Sequence, residues 1–191
     1  MPFARPSKPR FTPVPALDSV DPGERRLAVA DSMEADCLFA RLGTEEDAGV
    51  RHAIFTRLGA LGEAAVAVRL VAILASDDAA LRNDAILALR RCGEVGLPAL
   101  GAALESANPD VRIFAANALG GIATPAARGL LIALLDQEGD ANVCLAAVEA
   151  MAHIGAPNDV AALAALRGRF VDEPGLGFAV ALAIDAIGEE V

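Results

Sequence analysis

The sequence contains no tryptophan and no tyrosine, and phenylalanine alone supplies its aromatic content of 4%. Lysine is nearly absent too, because Lys8 is the one lysine among 16 basic residues. Hydrophobic residues still make up 54% of the chain, and most of them are Ala, Leu, Val and Ile, which must therefore form most of the core. Ala and Leu favour helices, whereas strands favour β-branched and aromatic residues. The composition therefore predicts an all-α protein.

Positive charge is also scarce, and the formal net charge is −10. Residues 1–26 hold five of the basic residues and three of the acidic ones, which leaves 11 basic and 23 acidic residues in the rest of the chain. Because an acidic surface repels phosphate, we do not expect nucleic acid as a partner. A partner protein with a neutral or basic surface suits this charge better.

Motifs for catalysis, metal or cofactor binding are missing. The three cysteines, Cys37, Cys92 and Cys144, form no CxxC pair, and neither His52 nor His153 precedes a glutamate. We therefore predict no catalytic residue, no metal site and no cofactor. The N-terminus lacks the apolar segment of a signal peptide, and no uncharged apolar stretch has the length of a membrane span. These features, with the odd cysteine count, predict a cytoplasmic protein that does not enter membranes.

Five segments share one pattern of apolar residues. They begin at Asp47, Asp78, Asn108, Asp140 and Glu173. Each has an apolar anchor three residues later and further apolar residues about 4, 8 and 11 positions after the anchor, which places them on one helix face. The Asp or Asn is predicted to cap the N-terminus of the helix. A glycine 12 residues after the anchor is predicted to end it in the left-handed conformation; these glycines are Gly62, Gly93, Gly155 and Gly188.

A second apolar helix follows each of the first four. Its predicted core residues are Val66, Leu70 and Ile73, then Leu97, Leu100 and Leu104, then Leu130, Leu131 and Leu134, then Val160, Leu163 and Leu166. One helix pair cannot bury its apolar face, so successive pairs are expected to stack and share a continuous core.

The Asp-x-x-Val/Leu-Arg start, the Ala-rich first helix and the terminal glycine resemble HEAT repeats, above all the short HEAT-like repeats named after phycobiliprotein lyase subunits. The resemblance covers residues 47–188 and implies a right-handed α-solenoid of ten or eleven helices. It implies little about function, because this repeat occurs in scaffolds, adaptors, lyase subunits and a few enzymes. The chain lacks the repeated His-Glu pairs with which HEAT-like deoxyhypusine hydroxylases bind iron, and the basic, aromatic groove of HEAT-like DNA glycosylases.

The predicted organisation is a Pro-rich basic tail over residues 1–22 followed by a repeat domain over residues 23–191. The domain comprises a degenerate helix pair over residues 23–46, repeats from about residues 47, 78, 108 and 140, and a capping helix from about residue 174. One hypothesis is that the tail lies along the acidic solenoid of its own or a neighbouring chain; the alternative is a loose solvated arm.

An arginine follows the anchor in three repeats, as Arg51, Arg82 and Arg112, and is replaced by Cys144 and Gly177 in the last two. In the family that the chain resembles, such arginines join neighbouring repeats in a ladder. We therefore predict a structural role for them rather than ligand binding. Loss of the arginine toward the C-terminus predicts a looser or differently curved last repeat.

Polar residues on the first helices are a candidate site. They are Asn83, Asp84, Asn117 and Glu149. Either they bond neighbouring helices across the seam between repeats, or they form a small polar contact site on the ridge.

The outward stripe of the second helices is a second candidate site, because it is poor in charge. It comprises Val68, Val71, Ala72 and Ala75, then Ala99, Ala102, Ala103 and Ser106, then Gly129, Ile132, Ala133 and Asp136, then Ala161, Ala164, Ala165 and Gly168. Either Val68, Val71 and Ile132 mark an interaction surface, or the small residues allow close helix packing.

Three functions remain open from the sequence. The first is a non-catalytic protein-interaction module or adaptor that binds a partner helix or peptide along the solenoid. The second is a lyase-like or cofactor-assembly subunit, although no Tyr or Trp is present to hold a pigment. The third is a structural protein that uses the same stripe to form a homo-oligomer.

Overall fold

A computed structural model of the protein describes residues 16–32 and 34–189. Every regular element of this part of the chain is helical, and the prediction of an all-α protein with ten or eleven helices is confirmed. The α-helices are α1 Pro22–Asp31, α2 Ala35–Leu42, α3 Ala48–Leu61, α4 Ala64–Ile73, α5 Ala79–Cys92, α6 Leu97–Leu104, α7 Pro109–Leu119, α8 Pro125–Gln137, α9 Ala141–Ile154, α10 Val160–Arg169 and α11 Pro174–Glu189. Short 3₁₀ helices cover Gly93–Gly96 and Pro157–Asp159.

The chain divides into two compact units, Met1–Ile54 and Phe55–Val191, and the boundary falls within α3. In the first unit, α1 begins at Pro22, one residue before the predicted segment 23–46, and α2 lies inside that segment; Val29 and Leu38 are buried. Residues 1–15 of the Pro-rich tail lie outside the described residues, so the docking of that tail stays a hypothesis. The boundary between tail and repeat domain at residue 22 likewise stays a prediction.

The second unit is built from stacked helix pairs. Its first helices lie side by side, α5 against α7, α7 against α9, and α9 against α11. Its second helices also lie side by side, α4 against α6, α6 against α8, and α8 against α10. Each second helix packs in addition on the first helix that follows it in the chain. This serial packing of neighbours is the arrangement of an α-solenoid, as the repeats predict.

The helix starts follow the predicted caps. Oδ1 of Asp78 accepts a hydrogen bond of 2.8 Å from the amide of Ala80, and Oδ1 of Asp140 accepts one of 2.8 Å from the amide of Asn142. Asp47 and Asn108 cap α3 and α7 in the same way. Each acceptor satisfies an amide that has no partner inside its helix.

The helix ends follow the prediction only in part. Gly62 and Gly93 have positive φ angles of 64° and 59°, as predicted. The prediction is wrong for Gly155, whose φ is −62°, and for Gly188, which lies inside α11. Glycine at residue 155 has a different reason: an added Cβ would lie 2.5 Å from the backbone oxygen of Met151 and 2.5 Å from Cδ1 of Ile187, so a side chain there would force its surroundings to shift.

Most of the predicted core positions are buried. Leu58, Leu89, Leu119 and Met151, eight residues after their anchors, are fully buried, and Cys92 is 5% exposed. The second helix of the third repeat differs from the prediction, because Leu131 and Leu135 are buried whereas Leu130 and Leu134 are half-buried. Ala127, Leu131 and Leu135 recur at four-residue spacing and share the core face of α8.

Candidate functional site

A shallow apolar groove, here the α4–α6 groove, lies between two successive second helices. Its volume is about 420 Å³, and Val68 on its wall is 61% exposed. Ala and Val form most of the wall, and no charged side chain lines it. The lining residues are Val68, Val71, Ala72, Ala75, Ala99, Ala102, Ala103, Ser106 and Val111. The groove thus brings together the first eight residues of the predicted outward stripe and adds Val111.

A second hollow, the α6–α8 groove, continues along the next pair of second helices. It has a volume of about 280 Å³ and is lined by Gly101, Leu104, Glu105, Leu130, Ala133, Leu134, Gln137 and Glu138. The sequence placed Ile132 on this surface, but Ile132 is half-buried and lines neither groove. Leu130 and Leu134 take its place, because α8 is rotated by about one residue relative to the predicted register.

Three exposed acidic residues lie at or just after the C-terminal ends of the second helices that form the grooves. Asp77, Glu105 and Asp136 follow or end α4, α6 and α8, and all three are exposed. The last carbonyl groups of each helix add partial negative charge at the same ends. These three residues are here called the acidic edge; Arg82 and Arg112 bond to the loops that hold Asp77 and Glu105.

The predicted ladder arginines lie at the loops that join successive repeats. In each case Nη1 donates to the carbonyl oxygen six residues earlier: Arg51 to Glu45 at 3.4 Å, Arg82 to Ser76 at 2.6 Å and Arg112 to Ser106 at 2.9 Å. The bond ties the start of one first helix to the end of the preceding repeat. None of the three arginines lines either groove.

Arg25 occupies the position of a ladder arginine in the first unit, and the sequence analysis did not predict this role. Its Nη1 donates to the carbonyl oxygen of Ser19, again six residues earlier, at 2.8 Å. Asp21 stands four residues before Arg25 and caps α1, as Asp47 stands four residues before Arg51. That spacing was the signal that could have identified a further repeat start.

A carboxylate strengthens two of these loops. Arg112 binds Glu138 through two bonds of 2.7 and 3.1 Å, and Arg25 binds Glu45 through two bonds of 2.8 Å. Hydrogen bonds from Arg25 above all, and from the amide of Asp47 and from Arg41, lower the pKa of Glu45 to about 2, although burial acts in the opposite direction. Burial also raises the pKa of Glu138, but Arg112 and the amide of Asp140 outweigh it, so this pKa lies below its usual range.

Cys144 fills the ladder position of the fourth repeat. Its Sγ lies 3.7 Å from the carbonyl oxygen of Glu138, six residues earlier. Arg169, at the end of α10, donates to that same carbonyl and to the carbonyl of Leu135. The guanidinium that the repeat has lost is therefore supplied from another helix. Burial raises the pKa of the fully buried Cys144 thiol to about 11, which makes it a poor nucleophile at neutral pH.

The polar candidates on the first helices lie apart from both grooves. Asn83 and Glu149 are exposed, whereas Asp84 and Asn117 are half-buried. The backbone carbonyl of Asn117 accepts a bond of 2.8 Å from Nη2 of Arg90 on the neighbouring first helix. The surface that carries these four residues is therefore a different one from the surface that carries Val68.

Residues 16–32 and 34–189 contain no group of three or more His, Cys, Asp or Glu side chains that could hold a metal ion. No helix in the same part of the chain is long and apolar enough to cross a membrane. The cysteines Cys37, Cys92 and Cys144 are all free thiols.

Comparison with known proteins agrees with this architecture. The family model of HEAT repeats matches residues 97–188. The uncharacterized phycocyanin operon protein Z of Pseudanabaena tenuis (strain PCC 7409) is 32% identical over 149 residues, an alignment covering 72% of this chain and 73% of that protein. Human deoxyhypusine hydroxylase, solved in complex with glycerol, is 19% identical with a TM-score of 0.47, covering 91% of this chain and 82% of that chain. A similarity at this last level supports no conclusion about the fold or the function of this chain. Its repeats and its similarity to the operon protein show that the chain belongs to the HEAT-repeat family, among relatives of phycocyanin operon protein Z.

Proposed function

We propose that this protein is a non-catalytic interaction module that binds an apolar helix or peptide of a partner protein in the α4–α6 groove. The observation that carries this proposal is the groove wall, on which Val68, Val71 and small residues face solvent with no charged side chain among them. Exposed apolar surface of this kind is typical of interaction sites. A groove between helices suits the apolar face of an amphipathic helix.

The charge around the groove indicates which charge the partner segment should carry. Asp77, Glu105 and Asp136 form the acidic edge, so a binding segment should carry Lys or Arg on one flank of its apolar face. Complementary charge of this kind speeds association and selects the orientation. The same negative charge disfavours nucleic acid. We place the module in the cytoplasm, where free thiols such as those of this chain persist.

The test is a comparison of groove and control variants in affinity capture from a lysate of the source organism. Ala72→Arg puts a charge into the groove wall at an exposed position, whereas Leu87→Arg puts the same charge on α5, where Leu87 is 44% exposed and lines neither groove. We expect a protein captured by the wild type and by Leu87→Arg to be lost from Ala72→Arg.

A synthetic peptide from the captured protein then provides the second step. It should bind the wild type in fluorescence anisotropy, bind more weakly as salt rises, and not bind Ala72→Arg. If Ala72→Arg and Leu87→Arg capture the same proteins, or if the bound segment is acidic, the proposed site is wrong.

A second candidate function is a subunit that assists the attachment of a phycobilin to its acceptor protein. The similarity to phycocyanin operon protein Z favours it. Incubation of the purified chain with phycocyanobilin and apo-phycocyanin would test it by the absorbance of the product. A covalent pigment adduct that forms faster with the chain than without it would support this candidate, and an unchanged rate would contradict it.

A further inference from the structure

Large apolar side chains are exposed where α10 turns into α11. Val171 is 75% exposed, Phe178 66% and Leu182 53%. A hollow of about 420 Å³ lies beside them. It is lined by Arg167, Phe170, Val171, Glu173, Pro174, Gly177, Phe178 and Ala181. This surface, here the α10–α11 corner, is distinct from both grooves and from the ladder.

The corner differs from the equivalent surface of the preceding repeat. On α9, Cys144 and Val148 stand one and five residues after the anchor and are fully buried. On α11, Gly177 and Ala181 stand at the same positions but are only half-buried. α11 packs mainly on α9 and α10, and the side that carries Gly177 and Ala181 is only partly covered.

The corner carries a protruding side chain, a hollow and both signs of charge within one surface. Phe178 protrudes, and Arg167 and Glu173 both line the hollow next to it. A two-fold dimer uses one surface twice, so that surface must complement itself. A surface that holds a protruding ring, a hollow and both signs of charge meets this requirement.

We propose that two copies of this chain associate through the α10–α11 corner. Phe178 of each copy enters the hollow of the other, and Arg167 of each copy faces Glu173 of the other. Val171 and Leu182 surround the contact and exclude water from it. This association uses a surface separate from the α4–α6 groove, so the two proposals stand or fall independently.

The experiment is sedimentation velocity and light scattering on the 191-residue chain at several concentrations. The wild type should approach twice the monomer mass of 19.5 kDa as concentration rises. Phe178→Ser should weaken the association by about 100-fold or more, because the substitution removes two buried rings from each dimer. Leu87→Ser, at another exposed leucine, is the matched control and should dimerise as the wild type does.

Charge variants test the geometry in a second way. Arg167→Glu alone and Glu173→Arg alone should each weaken the dimer, and the double variant should restore it, because the charges then complement each other in reverse. Circular dichroism of each variant checks that the helices are intact. A wild type that stays monomeric, a dimer that Phe178→Ser leaves unchanged, or a double variant weaker than both single ones would each overturn the proposal.

Discussion

The bond between Arg112 and Glu138 offers the sharpest test of how the repeats are joined. The Arg112 side chain is 16% exposed and that of Glu138 is 8% exposed. Arg112→Ala removes both bonds to the carboxylate and the bond of 2.9 Å to Ser106. Loss of one partner from a buried ion pair costs about 3–5 kcal/mol. Glu138 keeps two amide donors, those of Gly139 and Asp140, each at 2.9 Å, so we expect a loss of about 2–4 kcal/mol in the free energy of unfolding.

Urea unfolding followed by circular dichroism measures this loss, and Arg128→Ala is the matched control. Arg128 and Asp159 form a more exposed pair with side-chain exposures of 26% and 18% and a distance of 3.3 Å. Such pairs contribute about 1 kcal/mol or less. A double-mutant cycle with Glu138→Ala should give a coupling energy of about 1–3 kcal/mol. A loss for Arg112→Ala no greater than that for Arg128→Ala would refute the reasoning.

The Arg112–Glu138 bond also predicts how the loss of stability in Arg112→Ala depends on pH. The pKa of Glu138 lies below its usual value of 4.5 in the folded protein, so the carboxylate adds stability above that value and loses it as the pH falls through the folded pKa. Without Arg112, burial remains and the pKa should rise. The difference between wild type and Arg112→Ala should therefore be largest near neutral pH and shrink below about pH 4.5. A difference that stays constant down to pH 3 would contradict the assignment.

Three further predictions follow from single side chains. Arg82→Ala should lower the free energy of unfolding by about 1–2 kcal/mol without loss of partner binding, because it removes the bond to Ser76 and the contact of 5.0 Å with the Phe114 ring; unchanged stability with lost binding would mark Arg82 as a contact residue. Cys92, which is 5% exposed, should react with a thiol reagent slowly in buffer and fast in urea, and Cys92→Ala should cost about 1–2 kcal/mol. Because the pKa of Glu45 is about 2, its stabilising effect should persist below pH 4.5 and fade as the pH approaches 2. Thermal melts of the wild type should therefore lose more stability over that range than melts of Glu45→Gln, and equal losses would contradict the assignment.

The repeats made the fold readable from the sequence. Asp47, Asp78, Asn108 and Asp140 recur at nearly fixed spacing, and a cap, an anchor and a core face are all local to one helix. The same periodicity predicted the residues of the α4–α6 groove, because on α4 and α6 these residues lie on the helix face opposite the predicted core residues. The register was wrong in α8, where Leu130, Leu131, Leu134 and Leu135 are all apolar. A run of leucines on adjacent faces does not specify which face is buried.

Contacts between distant segments could not be predicted in this way. The link from Arg112 to Glu138 spans 26 residues and that from Arg25 to Glu45 spans 20, so no single spacing identifies both. Each glutamate also accepts the amide of the cap residue two positions later, as Ser76 and Ser106 do elsewhere. A serine and a glutamate thus perform the same local task, and only the glutamate can bind an arginine of the preceding repeat. The local pattern is uniform while the bonds between repeats are not.

Cys144 shows that the loop before a repeat can be bonded without a ladder arginine. The carbonyl oxygens of Leu135 and Glu138 lie at the C-terminal end of α8, where carbonyl groups take donors from outside the helix. Arg169, 31 residues beyond Glu138, supplies them. Its position on α10 leaves the slot on α9 to a small, fully buried thiol, and α9 and α11 pack closely there. In this chain the loops between repeats are bonded through different residues, and the helices remain stacked where the sequence signature of the ladder ends.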